Sequence, residues 1–207
     1  MTATSLSRGS LNRPGGNITG NAGLSIELDA KRLELLSELA PAVRIIGALV
    51  NPNRPGVQAQ EQEMLAAAKT AGLELTVFRA GDPRAIDAAF ATLAERKIAA
   101  LLVGADAIFT NHRAQIVALA ARYAIIAVYP WREFVTEGGL VSYASNLPEA
   151  YRLSGLYVGR IFKGEKPADL PVIQPAKFEL VINLKTAKTL GLTVLPTLLT
   201  RADEVIE

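Results

Sequence analysis

Apolar residues along this chain switch repeatedly between two rhythms. Over 28–39, Leu28, Leu35, Leu36 and Leu39, with Leu33 beside them, recur at helical spacing. Lys31, Arg32, Glu34 and Glu38 fall to the exposed face on this reading, and Pro41 stops the helix. Over 44–50 the apolar run is continuous and ends at Asn51-Pro52, which predicts a strand buried on both faces. The alternation then repeats. A helix is predicted over 57–71, closed by Gly72, and a strand over 73–79. Asp82-Pro83 opens a helix, as cap and first helical residue, that runs to about 96. A strand over 98–104, a helix over 111–123 and a strand over 124–129, ended by Pro130, complete the series.

Four strands alternating with helices across short turns predict an α/β fold. The expected form is a doubly wound parallel sheet in the order 2-1-3-4, with helices on both faces and right-handed crossovers. After Pro130 the rhythm changes. The pattern predicts a short helix or turn over 131–137, a strand over 140–143, and a helix over 147–163 carrying Tyr151, Leu156, Tyr157 and Ile161. An extended stretch over 167–175, a strand over 178–183 and a helical turn over 186–190 follow, and the tail from Thr193 has no evident role. The first 23 residues are rich in Gly, Ser, Asn and Pro and read as loop.

Composition narrows the function classes. Half of the 207 residues are hydrophobic and 20% are charged, enough for a substantial core in one or two domains. A net charge of +2 without a Lys/Arg run argues against nucleic acid. There is no cysteine, which excludes disulfides and thiolate metal sites. No apolar run approaches the length of roughly 18 residues that membrane insertion as a helix requires. Residues 1–12 are polar and do not read as a secretory signal, so the sequence taken literally stays in the cytoplasm.

Catalytic residues, a metal site and a cofactor are not expected. His112 is the single histidine, and nucleophile-elbow, zinc-protease, phosphate-loop and dinucleotide motifs are missing. Binding chemistry is better represented. In doubly wound sheets ligands meet the loops at the carboxyl ends of strands. Here those loops carry Asn51, Asp106 with Asn111 beyond it, Trp131 and Arg132, then Ser142 and Tyr143. A carboxylate would seek the arginine fork, an ammonium the aspartate, and a ring the Trp or Tyr face. Each residue also has a plainer reading. Asp106 is suited to capping a helix, Asn51 to a turn, and Trp131 to packing between helix and sheet. Arg132 is suited to pairing with Glu133 or Glu137, and Tyr143 to a place in a strand.

Several segments closely resemble the ABC-transporter substrate-binding proteins of the tryptophan/tyrosine-transport type. They are Arg13-Pro14-Gly15-Gly16-Asn17-Ile18-Thr19-Gly20, Asp29-Ala30-Lys31-Arg32-Leu33-Glu34-Leu35-Leu36, and Tyr129-Pro130-Trp131-Arg132-Glu133-Phe134-Val135 with Gly138-Gly139-Leu140-Val141-Ser142-Tyr143. Lys163-Gly164-Glu165-Lys166-Pro167-Ala168-Asp169-Leu170-Pro171-Val172 and Lys177-Phe178-Glu179-Leu180-Val181-Ile182-Asn183 extend the resemblance, which runs from about 12 to 207. Trp131 stands where the family usually has Phe, Asn21-Ala22-Gly23 replaces its hydrophobic lead-in, and residues 1–11 do not look like its hinge.

The resemblance implies a type I periplasmic-binding fold, a small solute held in a cleft between lobes, ABC permease and ATPase partners, and a periplasmic location. It also implies that the front lobe and export signal are missing, leaving a truncated and impaired binding protein. The domains expected on that basis are a disordered or hinge remnant over 1–16 and a solute-binding lobe over 17–143. A crossover helix and linker of the missing lobe would span 144–175, and a return strand and tail 176–207. A small α/β enzyme or a stand-alone ligand-sensing module on the same scaffold is the alternative.

Overall fold

The computed structural model describes residues 10–21, 27–175 and 177–207. The expectations for 1–9, for 22–26 (part of the predicted N-terminal loop) and for Ala176 lie outside the described residues. The chain divides into two compact units. One comprises Ser25–Ala144 with Glu179–Glu207, the other Met1–Leu24 with Ser145–Phe178.

The larger unit is built on the predicted alternation. Its elements are α1 (Glu27–Leu39), β1 (Ile45–Val50), α2 (Val57–Thr70), β2 (Glu74–Arg79), α3 (Pro83–Glu95) and β3 (Ala100–Val103). They continue with α4 (Ala107–Asn111), α5 (Arg113–Arg122), β4 (Ile126–Tyr129), α6 (Arg132–Thr136) and β5 (Val141–Ser145). Strands β1 to β5 pair in parallel in the order β2-β1-β3-β4-β5, which contains the predicted 2-1-3-4 and extends it. The continuous apolar runs are explained by burial on both faces. Ile46, Ala48 and Val50 of β1 and Ala100 and Leu102 of β3 face α1 and α2, meeting Leu33, Leu36, Leu39 and Met64. Leu49, Leu101 and Val103 face the other way, toward Ile86, Phe90 and Leu93 of α3, Phe109 of α4 and Phe134 of α6. A Cβ on Gly47 would lie 2.7 Å from Leu93 Cδ2, so β1 can meet α3 this closely only through glycine.

Three details depart from the sequence reading. The helix predicted over 111–123 is α5, which starts at Arg113, and a separate short helix, α4, precedes it directly after Asp106. The tail does have a place. After β6 (Phe178–Asn183) and α8 (Leu184–Thr189), the chain forms α9 (Pro196–Leu199) and β7 (Glu204–Ile206), the last strand of a seven-stranded sheet. Its periodicity is invisible because β7 is only three residues long. Finally, Asn183 at the end of β6 donates its amide to Leu140 O at the start of β5, 2.8 Å away. Strand β6 therefore runs against β5, and β7 follows β6 in parallel.

In the smaller unit, Asn146 caps α7 (Leu147–Phe162) by accepting from Glu149 N at 2.8 Å. The segment expected to be extended over 167–175 begins with a 3-10 turn at Pro167–Asp169. It then lies beside the N-terminal stretch, with Val172 N donating to Leu11 O at 2.7 Å and Ile173 N to Gly20 O at 2.9 Å. Thr19 Oγ1 and the Tyr157 hydroxyl donate to the carbonyls of Leu170 and Pro171, each at 2.7 Å. Tyr151, Leu156, Val158 and Phe162 of α7 are exposed.

Candidate functional site

Parallel strands deliver all their carboxyl ends to one edge of a sheet, and the loops there are set by whatever fixes the strand ends. Asn51 follows β1, Asp106 closely follows β3, and Trp131 and Arg132 follow β4. Tyr143 lies one residue beyond Ser142, which stands opposite Tyr129. All of them belong to one rim of the larger unit.

The structure joins two of these residues directly. Asn51 Nδ2 donates to Asp106 Oδ1 at 3.0 Å, tying the ends of β1 and β3 together. Asp106 is also the cap of α4, accepting from Ile108 N at 2.9 Å, and Asn51 Oδ1 accepts from Asn53 N at 2.9 Å in a turn. The plainer readings of both residues therefore hold. Asp106 Oδ2 has no partner among the described residues and is available to a cation. Asn111 is exposed at the far end of α4 and takes no part in this contact.

Trp131 opens α6 in an extended conformation and is half-buried against the cluster containing Tyr129 and Phe134. Arg132 does not pair with Glu133 or Glu137. Its Nη2 donates to Glu204 Oε2 at 2.6 Å and its Nη1 lies 3.7 Å from Glu179 Oε2, while Glu137 pairs with Arg113 at 3.2 Å. The partners come from β6 and β7, strands that reach this rim because β6 runs backwards, so local sequence spacing could not reveal them. Ser142 is buried in β5, and its Oγ has no hydrogen-bond partner among the described residues. As the register neighbour of Tyr129, it shares that residue's side of the sheet. Tyr143 points to the opposite side and packs against the leucine cluster of α1.

The largest departure lies beneath the rim. Arg32, assigned from sequence to the exposed face of α1, is fully buried together with Asp29 and Gln60. Arg32 Nη1 donates to Asp29 Oδ1 at 2.7 Å, its Nε to Tyr143 O at 2.8 Å, and its Nη2 lies 3.5 Å from Pro130 O. Gln60 Nε2 donates to Asp29 Oδ2 at 3.1 Å, and Arg54 Nη1 donates to Gln60 Oε1 at 2.9 Å and to Ala105 O at 3.0 Å. Burial pushes the Asp29 carboxyl up from its usual value, opposed by the Arg32 charge and the Gln60 amide. The same burial pushes Arg32 down, opposed by Asp29. One signal in the sequence pointed here: Leu28-Asp29 and Arg32-Leu33 set a charge pair three residues apart inside the apolar stripe.

A mainly parallel, seven-stranded α/β unit of this kind matches a lobe of the type I periplasmic-binding fold. The chain matches the model of the family described as ABC transporter substrate binding protein over residues 6–206, and it belongs to that family. Among solved structures, an ABC domain from Streptococcus pneumonia in complex with L-Trp is 28% identical, with a TM-score of 0.86, covering 95% of this chain and 66% of that one. A conserved domain protein from Vibrio cholerae superposes equally well, with a TM-score of 0.86, 24% identity and coverage of 95% and 65%. The ligand-free, open form of a substrate binding protein with adhesive properties from Clostridium difficile gives 0.70, 22% identity and coverage of 99% and 67%. The chain thus spans about two thirds of the length of these structures. No match was found among curated proteins. Members of this family are normally periplasmic or extracellular. Among the described residues, no helix is long and apolar enough to cross a membrane.

Proposed function

We propose that this chain binds a small amino-acid-like or aromatic solute at the carboxyl rim of its sheet and serves an ABC permease and ATPase in import. The observation that carries this reading is the Asn51–Asp106 contact at 3.0 Å. It holds a carboxylate, with one oxygen still available, on the rim that also bears half-buried Trp131. An ammonium would dock on Asp106 Oδ2 and a ring on Trp131. A solute carboxylate would be met by Arg132 on turning from Glu204, whose partly exposed pairing is weakly held. The bound L-Trp of the 28%-identical streptococcal structure supports an aromatic amino acid as the class to try first.

Isothermal titration calorimetry against the twenty L-amino acids and indole tests the proposal. One or a few aromatic amino acids should bind saturably, and Asp106→Asn and Trp131→Ala should each weaken that binding. Heat-silent titrations throughout the panel, or an affinity untouched by both substitutions, would defeat it.

A further inference from the structure

Each of the rim loops is held by a hydrogen bond that leads back to one buried charge pair. Arg32 reaches the carbonyls of Pro130 after β4 and Tyr143 in β5, while Arg54 reaches Ala105 after β3. Gln60 links the two arginines through Asp29, accepting from Arg54 and donating to the carboxylate. Arg54 itself sits in the loop after β1, where its amide donates to Asn51 O at 3.2 Å. The loops held in this way carry Asn51, Asp106 and Trp131, and the strand carries Tyr143.

We propose that Arg32, Asp29, Gln60 and Arg54 are positioning residues for solute recognition, setting three rim loops and the end of β5 as one unit. This rests on the solute-binding reading given above. Stability alone is a poor reason for the arrangement, because a buried ion pair is commonly matched or bettered by apolar packing, and α1 is otherwise lined by leucines here. What leucine cannot do is reach with donors the carbonyls of a loop and of strand β5 at once. The guanidinium has five donors in a rigid fork and does so. Gln60 is equally particular: its amide accepts from Arg54 with the oxygen and donates to Asp29 with the nitrogen, which a carboxylate or an ammonium in its place could not do. The backbone makes room for it, since a Cβ on Gly104 would lie 2.9 Å from Leu49 O and 3.4 Å from Gln60 Nε2.

The test uses Arg32→Lys, which keeps the charge but loses the fork, and Gln60→Leu, which keeps the ion pair but cuts the link to Arg54. Amide hydrogen exchange is followed in the whole chain beside urea denaturation and calorimetric titration with L-phenylalanine and L-tryptophan. Exchange at 51–54, 105–107, 131–132 and 143–144 should quicken by roughly tenfold or more, with β1 and β3 little changed. Affinity for whichever of the two amino acids binds the wild type should fall by about tenfold. Unchanged exchange at the rim, or exchange that rises uniformly in step with a lower urea midpoint, would reduce the network to a structural support and overturn the proposal. If Arg32→Lys does not fold, Gln60→Leu alone decides. If the wild type binds neither amino acid, the solute reading is what fails, and the exchange pattern by itself still decides whether the network positions the rim.

Discussion

Replacing Arg32 by Met, Asp29 by Leu, and both together makes a cycle whose outcome follows from the contacts. In the Arg32→Met protein, Asp29 keeps Gln60 but loses its counter-charge, and Tyr143 O loses its donor at 2.8 Å. Leaving a buried charge unpaired costs about 3–5 kcal/mol. Asp29→Leu strands the Arg32 guanidinium in the same way, for a loss of about the same 3–5 kcal/mol. In the double variant neither ion remains to be desolvated. What persists is a Tyr143 carbonyl without its Arg32 donor and a Gln60 Nε2 without its Asp29 acceptor, at about 1–3 kcal/mol each, partly offset by apolar packing against the leucines of α1. The double variant should therefore be no less stable than the worse single one, and the losses should fail to add by at least ~2 kcal/mol. Urea unfolding followed by fluorescence of Trp131, the single tryptophan, measures all four corners. An unchanged slope against denaturant shows that the compared states are the same. Losses that add to within about 0.5 kcal/mol would mean the two side chains do not act as a pair, and the reasoning would be wrong.

Three further outcomes are expected. Trp131→Ala should weaken an aromatic solute by about 1.5–3 kcal/mol, the range for a buried aromatic anchor, as read by calorimetry; an unchanged affinity would leave Trp131 a packing residue. Gly139→Ala should destabilise by roughly 1–3 kcal/mol in urea, because its Cβ would lie 2.6 Å from Tyr129 Cε2 and 2.7 Å from Phe134 O. Burial pushes the Tyr129 hydroxyl well above its usual value, so the folded state holds that proton more tightly than the unfolded chain. Its contribution is complete below the ordinary tyrosine value of 10.0 and is lost as pH rises beyond it, so Tyr129→Phe should flatten the alkaline fall in stability. An alkaline limb identical in both proteins would contradict that.

The sequence made the sheet legible because burial on both faces leaves no polar interruption in strands such as Ile45–Val50, and because turn residues sit where they must. Asp82, for example, caps α3 by accepting from Ala85 N at 2.8 Å. Arg32 was misplaced for the opposite reason. Hydrophobic periodicity assigns every charge to solvent, and a guanidinium whose partners are carbonyls more than 95 residues away leaves no mark on it. Asp29 at three residues' distance was the available clue, but an exposed helix pair would look the same in sequence. The partners of Arg132 were hidden likewise, since Glu179 and Glu204 arrive on strands whose reversed direction no local pattern encodes. The short helix α4 went unread because five residues are too few to show a helical period.

The larger unit is made from two stretches of chain, and the second is synthesised after the first. During translation, residues 25–144 can arrange β1 to β5, but β5 then ends the sheet with an unpaired edge. Open edges of this kind invite pairing with other chains. Only when 179–207 has left the ribosome can β6 dock on β5 and β7 finish the sheet, and the Arg201–Glu38 contact at 2.9 Å then ties the tail back to α1. Completion thus waits for the second stretch to emerge after the first, at about 5–20 residues per second. Chaperone dependence during synthesis should accordingly centre on the exposed edge of β5, and should end abruptly once β6 and β7 are in place.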